Sequence, residues 1–184
     1  AQGTRRDFAL RARGGTKALG EADWRWLQSQ FDLERLRITR FVPLAWLAGD
    51  LRLHWDDQAV DLRALHCAGL PLADLDRASA ASGPARWWLL ENRASFERQA
   101  QQRVPGLALL WLPGRPSAAW LDTVSHLLAL APAPAWISAD ADPAGVDIAC
   151  TAGARWRDRG LAWEAHQMGP AELQATAQHW PLNT

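Results

Sequence analysis

The chain reads as an α/β protein: a parallel sheet flanked by helices, preceded by a smaller accessory region. Three observations predict this. From Arg86 onward short apolar runs alternate with longer segments of helical pattern, and strands alternating with helices of this length imply βαβ crossovers and therefore parallel strands. Apolar residues make up 48% of the 184 positions, enough for a real core. Ala78 to Pro84 is small and turn-rich, a boundary between a less regular first part and the alternating second part.

In chain order, Thr16 to Gln30 sets Leu19, Trp24 and Leu27 among polar residues with Glu21 and Asp23 near its start, which predicts a helix. Residues 33–51 are mixed apolar segments interrupted by Pro43 and Gly49. Leu51-Arg52-Leu53-His54-Trp55 alternates as a strand, and Asp56-Asp57 closes it. Adjacent carboxylates diverge in extended structure, which favours a turn there over a metal pair. Residues 61–81 are apolar but broken by Gly69-Leu70-Pro71. The regular part then predicts strands over 86–90, 107–112, 135–139 and 161–165, with helices over 93–103, 117–130 and 144–157 between them. A closing helix is expected over 170–178. The chain thus divides into residues 1–84, an accessory or linker region, and residues 85–184, the α/β domain.

Formal net charge is zero but unevenly spread. Residues 1–40 hold nine basic groups against five acidic ones, leaving +4 there and −4 beyond. Arg5, Arg6, Arg11, Arg13 and Lys17 would make a basic approach surface for DNA, separate from the acidic end; the alternative is a solvated amphipathic segment. Lys17 is the one Lys beside nineteen Arg, and either marks a site needing a compact ammonium or survives by chance. Cys67 and Cys150 have no metal or disulfide spacing, which points to core thiols in a reducing, cytoplasmic compartment. No membrane span or signal-peptide pattern is present. The five histidines are scattered without ligand spacing, and no phosphate-binding loop of the GxxxxGK type occurs. Twelve Trp beside no Tyr are mostly packing residues, with base-stacking platforms as the sharper alternative.

The densest chemical signal is Trp136-Ile137-Ser138-Ala139-Asp140-Ala141-Asp142-Pro143-Ala144-Gly145, an apolar strand running into two aspartates one residue apart. Strand geometry would point Asp140 and Asp142 to one face. Paired carboxylates suit a hard divalent ion such as Mg²⁺, which takes one or two of them and keeps water or phosphate oxygens on its other positions. Acidic punctuation at a strand end is the plainer reading. Glu91 raises the first reading, because it ends another strand, Arg86 to Leu90, and ligands in open parallel sheets bind outside the carboxyl ends of the strands. Gly114-Arg115-Pro116-Ser117 falls at that same edge; Ser117 can cap the next helix and Arg115 can reach a phosphate, with a plain turn as the alternative.

A glutamate ending one strand and D-x-D ending another resembles the Toprim domain of topoisomerases, primases and related nucleases. Leu90-Glu91-Asn92-Arg93-Ala94-Ser95-Phe96, Gly114 to Ser117 and Ser138 to Ala149 are similar to the nuclease subunit of the Wadjet plasmid-defence system, a relative of the topoisomerase VI A subunit. Thr16 to Glu21 and Gly69 to Leu75 resemble that family as well, so the likeness spans most of the chain. It implies a metal-dependent DNA endonuclease in which Glu91, Asp140 and Asp142 hold Mg²⁺ or Mn²⁺. Double-stranded DNA is the implied substrate, with Arg93 and Arg115 joining the basic residues named above in holding it. An SMC-type ATPase complex is the implied partner, the subunit acting as a homodimer.

Two departures bear on the chemistry. Ala139 stands where the family usually has Gly before the first aspartate. The chain has no tyrosine, so tyrosyl transesterification by these residues is excluded and water is the simplest nucleophile. The opening Ala1-Gln2-Gly3-Thr4-Arg5-Arg6 has no initiator Met and leaves room for a preceding DNA-binding domain. A non-catalytic DNA-binding or assembly component is the alternative function. If the three carboxylates only repel one another without metal, removing one should leave the apo protein no less stable.

Overall fold

A computed structural model of the chain describes residues 3–31, 33, 36 and 38–168; the expected closing helix over 170–178 lies outside them. The elements in order are β1 Gly3–Thr4, α1 Arg5–Arg13, α2 Glu21–Gln30, β2 Ile38–Thr39, β3 Leu44–Gly49, β4 Arg52–Trp55 and β5 Gln58–Asp61. After a 3₁₀ turn at Leu62–Ala64 come β6 Ala68–Pro71, α3 Leu72–Leu75, β7 Ala80–Ser82, β8 Arg86–Leu90, α4 Arg93–Gln102 and β9 Leu107–Trp111. The last are α5 Ala118–Leu130, β10 Ala135–Ser138, α6 Pro143–Arg157 and β11 Trp163–Ala165.

Six strands form the main sheet in the order β11-β10-β8-β9-β3-β6. The four from the second half are mutually parallel, whereas β3 runs antiparallel to both β9 and β6. The protein is therefore mixed α/β with a mostly parallel sheet flanked by helices. One face packs against α3, α5 and α6: Leu47, Trp87, Leu89, Leu110 and Ile137 meet Val124, Leu127, Ile148 and Trp156 there. Two large indoles in this core are satisfied, Trp87 donating Nε1–H to Ala131 O and Trp156 to Ala133 O, both at 3.0 Å. Without those partners each would bury an orphan donor. The other face meets α4, whose Phe96 and Ala100 pack on Trp88, Leu90 and Leu109.

The alternating half follows the sequence pattern to within one or two residues. Each helix there starts at a side-chain cap: Asn92 accepts from Ser95 N–H, Ser117 from Trp120 N–H and Asp142 from Gly145 N–H. The first half keeps the expected strand ending at Trp55 and departs from its pattern elsewhere. The division at residue 84 does not separate two sheets, because β3 and β6 extend the main one. Ala78 to Pro84 holds β7, paired with β4 beside β5 in a three-stranded sheet. Asp56 and Asp57 form the turn between β4 and β5. The helix expected over 16–30 starts at Glu21, since Gly20 is its N-cap and donates its own N–H to Asp23 Oδ2 at 2.8 Å.

Helix α1, in a stretch given no element from its sequence pattern, is fixed by a capping box. Thr4 Oγ1 accepts from Asp7 N–H, and Asp7 accepts from Thr4 N–H in return. With α2 and β2 it surrounds a small separate core of Ala9, Trp24, Leu33 and Ile38. Cys67 is half-buried against the α4 side of the sheet, but Cys150 is exposed and is not a core thiol. It falls outside the buried stripe of α6, which runs through Ile148, Ala149 and Ala152. Among the described residues no helix is long and apolar enough to cross a membrane.

Leu47, fully buried on β3 between β9 and β6, tests whether the first half is part of the core. Leu47→Ala should lower the unfolding free energy by about 2–5 kcal/mol in urea denaturation, and an unchanged midpoint would show that β3 is dispensable to the domain.

Candidate functional site at the carboxyl edge of the sheet

Strands β8 and β10 are parallel neighbours, with Leu90 in register with Ser138. Their outgoing connections diverge. Helix α4 leaves β8 over one face of the sheet and α6 leaves β10 over the other. Divergence of two adjacent connections opens a crevice between the strand ends, the position where α/β sheets bind ligands. Glu91 is the first residue after β8, and Asp140 and Asp142 follow β10 by two and four residues.

The two strand ends are bonded to each other. Glu91 N–H donates to Ser138 O at 2.9 Å, and Glu91 Oε2 accepts from Asp140 N–H at 3.1 Å. What joins these two residues is thus Asp140's backbone. Glu91 is half-buried, while Asp140 and Asp142 are exposed. Gly114, in the loop after β9, lies against the same carboxylate: a Cβ built there would stand 3.6 Å from Glu91 Oε1. Arg115 beside it is exposed, so the loop does reach the acidic edge.

The face-sharing expected of Asp140 and Asp142 rests on strand geometry that ends too early. Strand β10 stops at Ser138, leaving both aspartates in the turn into α6. Asp142 is the N-cap of that helix, its Oδ1 accepting from Gly145 N–H at 2.7 Å. Gly145 holds the turn close. A Cβ there would lie 1.9 Å from Asp140 O, so the first turn of α6 rests directly on the Asp140 backbone. The expectation that losing any one carboxylate costs the apo fold nothing is corrected here for Asp142, because its side chain satisfies a helix-end donor. Asp147 is exposed on α6, one and a half turns on.

Arg93 does not present a free guanidinium. It stacks 3.9 Å from the Trp46 ring centroid, with the Trp111 and Phe96 rings at 5.2 and 5.5 Å, and its Nε–H donates to Glu97 Oε1 at 2.7 Å. Trp46 lies opposite Gly69 in the β3–β6 register, and any Cβ at Gly69 would meet its ring at 2.9 Å. Trp111 donates Nε1–H to Glu91 O at 2.9 Å. A continuous stack, Gly69, Trp46, Arg93, Trp111, therefore runs from the far edge of the sheet to the Glu91 backbone. Arg93 is its cationic middle, held by three aromatic rings. Sequence reasoning missed Trp46, Gly69 and Trp111 as supports of the site, since their spacing carries no local signal.

The remaining predicted DNA contacts sit away from this edge in sequence. Arg6, Arg11 and Arg13 are exposed on α1 and Lys17 is exposed beyond it, whereas Arg5 is half-buried with its guanidinium 5.1 Å from the Trp24 ring. Among the described residues no three His, Cys, Asp or Glu side chains are gathered as a metal-holding group. The donor chemistry at the edge is nonetheless that of a hard cation. Glu91 Oε1, Asp142 Oδ2 and both Asp140 oxygens accept no hydrogen bond from the described residues, and Mg²⁺ needs only one or two carboxylates. Comparison with known protein families and with curated proteins finds no match to this chain.

Asp142 separates a capping role from a ligand role. Asp142→Ala should cost about 1 kcal/mol of stability through loss of the α6 cap, and Asp142→Asn, which caps equally well, should cost little. Equal thermal stability of wild type and Asp142→Ala would show that the cap contributes nothing.

Proposed function

We propose that the chain is a Toprim-type, metal-dependent DNA endonuclease subunit acting in plasmid defence. The observation that carries this reading is the position of Glu91, Asp140 and Asp142 beside the crevice where the connections of β8 and β10 diverge. In this reading Glu91 and Asp140 would hold Mg²⁺ or Mn²⁺, one or two carboxylates being all that Mg²⁺ needs, and Asp142 caps α6 beside them. The bound ion supplies Lewis acidity and lowers the pKa of a water molecule. The chain's own residues set the geometry: Trp111 and Ser138 fix the Glu91 backbone, and Gly145 fixes the Asp140 backbone. Arg115 meets a phosphate from the neighbouring loop, and α1 with Lys17 offers the wider basic surface. The substrate is double-stranded DNA, and the subunit works in the cytoplasm as a homodimer with an SMC-type ATPase complex, each copy cutting one strand.

One observation favours a second reading, a DNA-binding or assembly component without catalysis. Two of the three carboxylates already accept backbone hydrogen bonds, an arrangement that stabilises the turn with no metal present.

Nicking of supercoiled plasmid decides between them. Wild-type chain with Mn²⁺ should nick the DNA, Glu91→Gln and Asp140→Ala should reduce nicking to background, and the products should carry no covalently attached protein. Absence of metal-dependent nicking by wild type, alone and with its ATPase complex, would favour the assembly reading. A salt titration tests the basic surface separately. Replacing Arg11 and Arg13 by Ala should flatten the dependence of log binding constant on log salt by about one unit per lost phosphate contact, and an unchanged slope would remove α1 from the interface.

A further inference from the structure

Helix α4 has its N-terminus at the acidic edge and its C-terminus at the opposite edge of the sheet. There a cavity of about 300 Å³ opens, walled by Leu62, Leu65, Ala100, Val104 and Pro105. Leu62 is fully buried, but Leu65 and Val104 are 42% and 48% exposed, so the cavity presents apolar side chains to water. Gly49 and three charged residues, Asp50, Arg63 and Arg103, complete the lining.

Two of the three are committed. Asp50 Oδ2 accepts from Gly106 N–H at 2.8 Å. Arg63 donates Nε–H and Nη2–H to Asp61 at 2.9 and 2.6 Å and holds that carboxyl down to about 2. Arg103 forms no ion pair among the described residues. It also occupies an uncommon backbone state. At the C-cap of α4 it sits at φ 48°, ψ 47°, the left-handed conformation that glycine ordinarily fills at this position. Arg103 is thus held in a conformation that glycine adopts more easily.

We propose that this cavity is a binding site for a small organic monocarboxylate, its apolar body against Leu65, Val104 and Pro105 and its carboxylate on the Arg103 guanidinium. The volume lies at the lower end of the range for small-molecule sites, so the body is short. A single free guanidinium matches one carboxylate, and Asp50 on the same wall disfavours a dianion such as phosphate. The site is independent of the acidic edge and of any nuclease activity.

Isothermal titration calorimetry on the whole chain tests this with hexanoate, 1-hexanol and inorganic phosphate as probes. Hexanoate should bind saturably, at least about tenfold tighter than 1-hexanol, the difference one charge-assisted hydrogen bond makes. Arg103→Gly should weaken hexanoate by about tenfold or more while leaving the melting temperature equal or higher, because glycine relieves the positive φ. Absence of saturable hexanoate binding, equal affinity for 1-hexanol, undiminished affinity in Arg103→Gly, or tighter binding of phosphate would each overturn the assignment.

Discussion

Everything at the acidic edge depends on the parallel pairing of β8 with β10, whose chains then turn to opposite faces of the sheet. Parallel strands need long crossovers, and two neighbours whose crossovers take opposite faces leave their carboxyl ends uncovered. The crevice therefore follows from chain connectivity, before any side chain is specified. Side chains determine what occupies it. Glu91 closes one rim through Asp140 N–H, and the tight entry into α6, which only glycine at 145 permits, closes the other. Substituting Gly145 would displace the Asp140 backbone and the helix start together, so the two aspartates and α6 form one mechanical unit.

The site is also braced from a distance. Trp111 holds the Glu91 carbonyl, Arg93 packs against Trp111, Trp46 packs on Arg93, and Trp46 needs the bare backbone of Gly69 beneath it. This stack crosses β9, β3 and β6, so residues 46 and 69 in the first half of the chain bear on a carboxylate in the second. A guanidinium between indoles is partly desolvated and gains from both ring faces. Lysine at 93 would keep the charge but lose the planar stacking that fills the space between Trp46 and Trp111.

The second half of the chain was legible because each of its strands is a short apolar run followed by a segment of helical pattern, with Ser117 standing where a helix start requires a cap. The edge position of Glu91, Asp140 and Asp142 followed from that regularity. In the first half the helix ending at Gln30, the strand ending at Trp55 and the turn at Asp56-Asp57 were legible, and the rest was not, for definite reasons. Strand β3, Leu-Ala-Trp-Leu-Ala-Gly, is apolar on both faces and rich in residues that also suit helices, so its periodicity carries no information. Strand β6, Ala-Gly-Leu-Pro, reads as a turn, yet its glycine is there to admit the Trp46 ring. The capping role of Asp142 was hidden by the D-x-D pattern itself, since the same letters serve a metal site or a helix start.

That double use sets the physical demand on the proposed chemistry. Glu91 and Asp142 already spend one oxygen each on backbone donors, which orients their carboxylates at little entropic cost when a ligand arrives. Each retains one open oxygen, and Asp140, exposed on the turn between them, retains two. A hard cation entering here would complete an arrangement the backbone has already aligned, displacing water and leaving both hydrogen bonds intact.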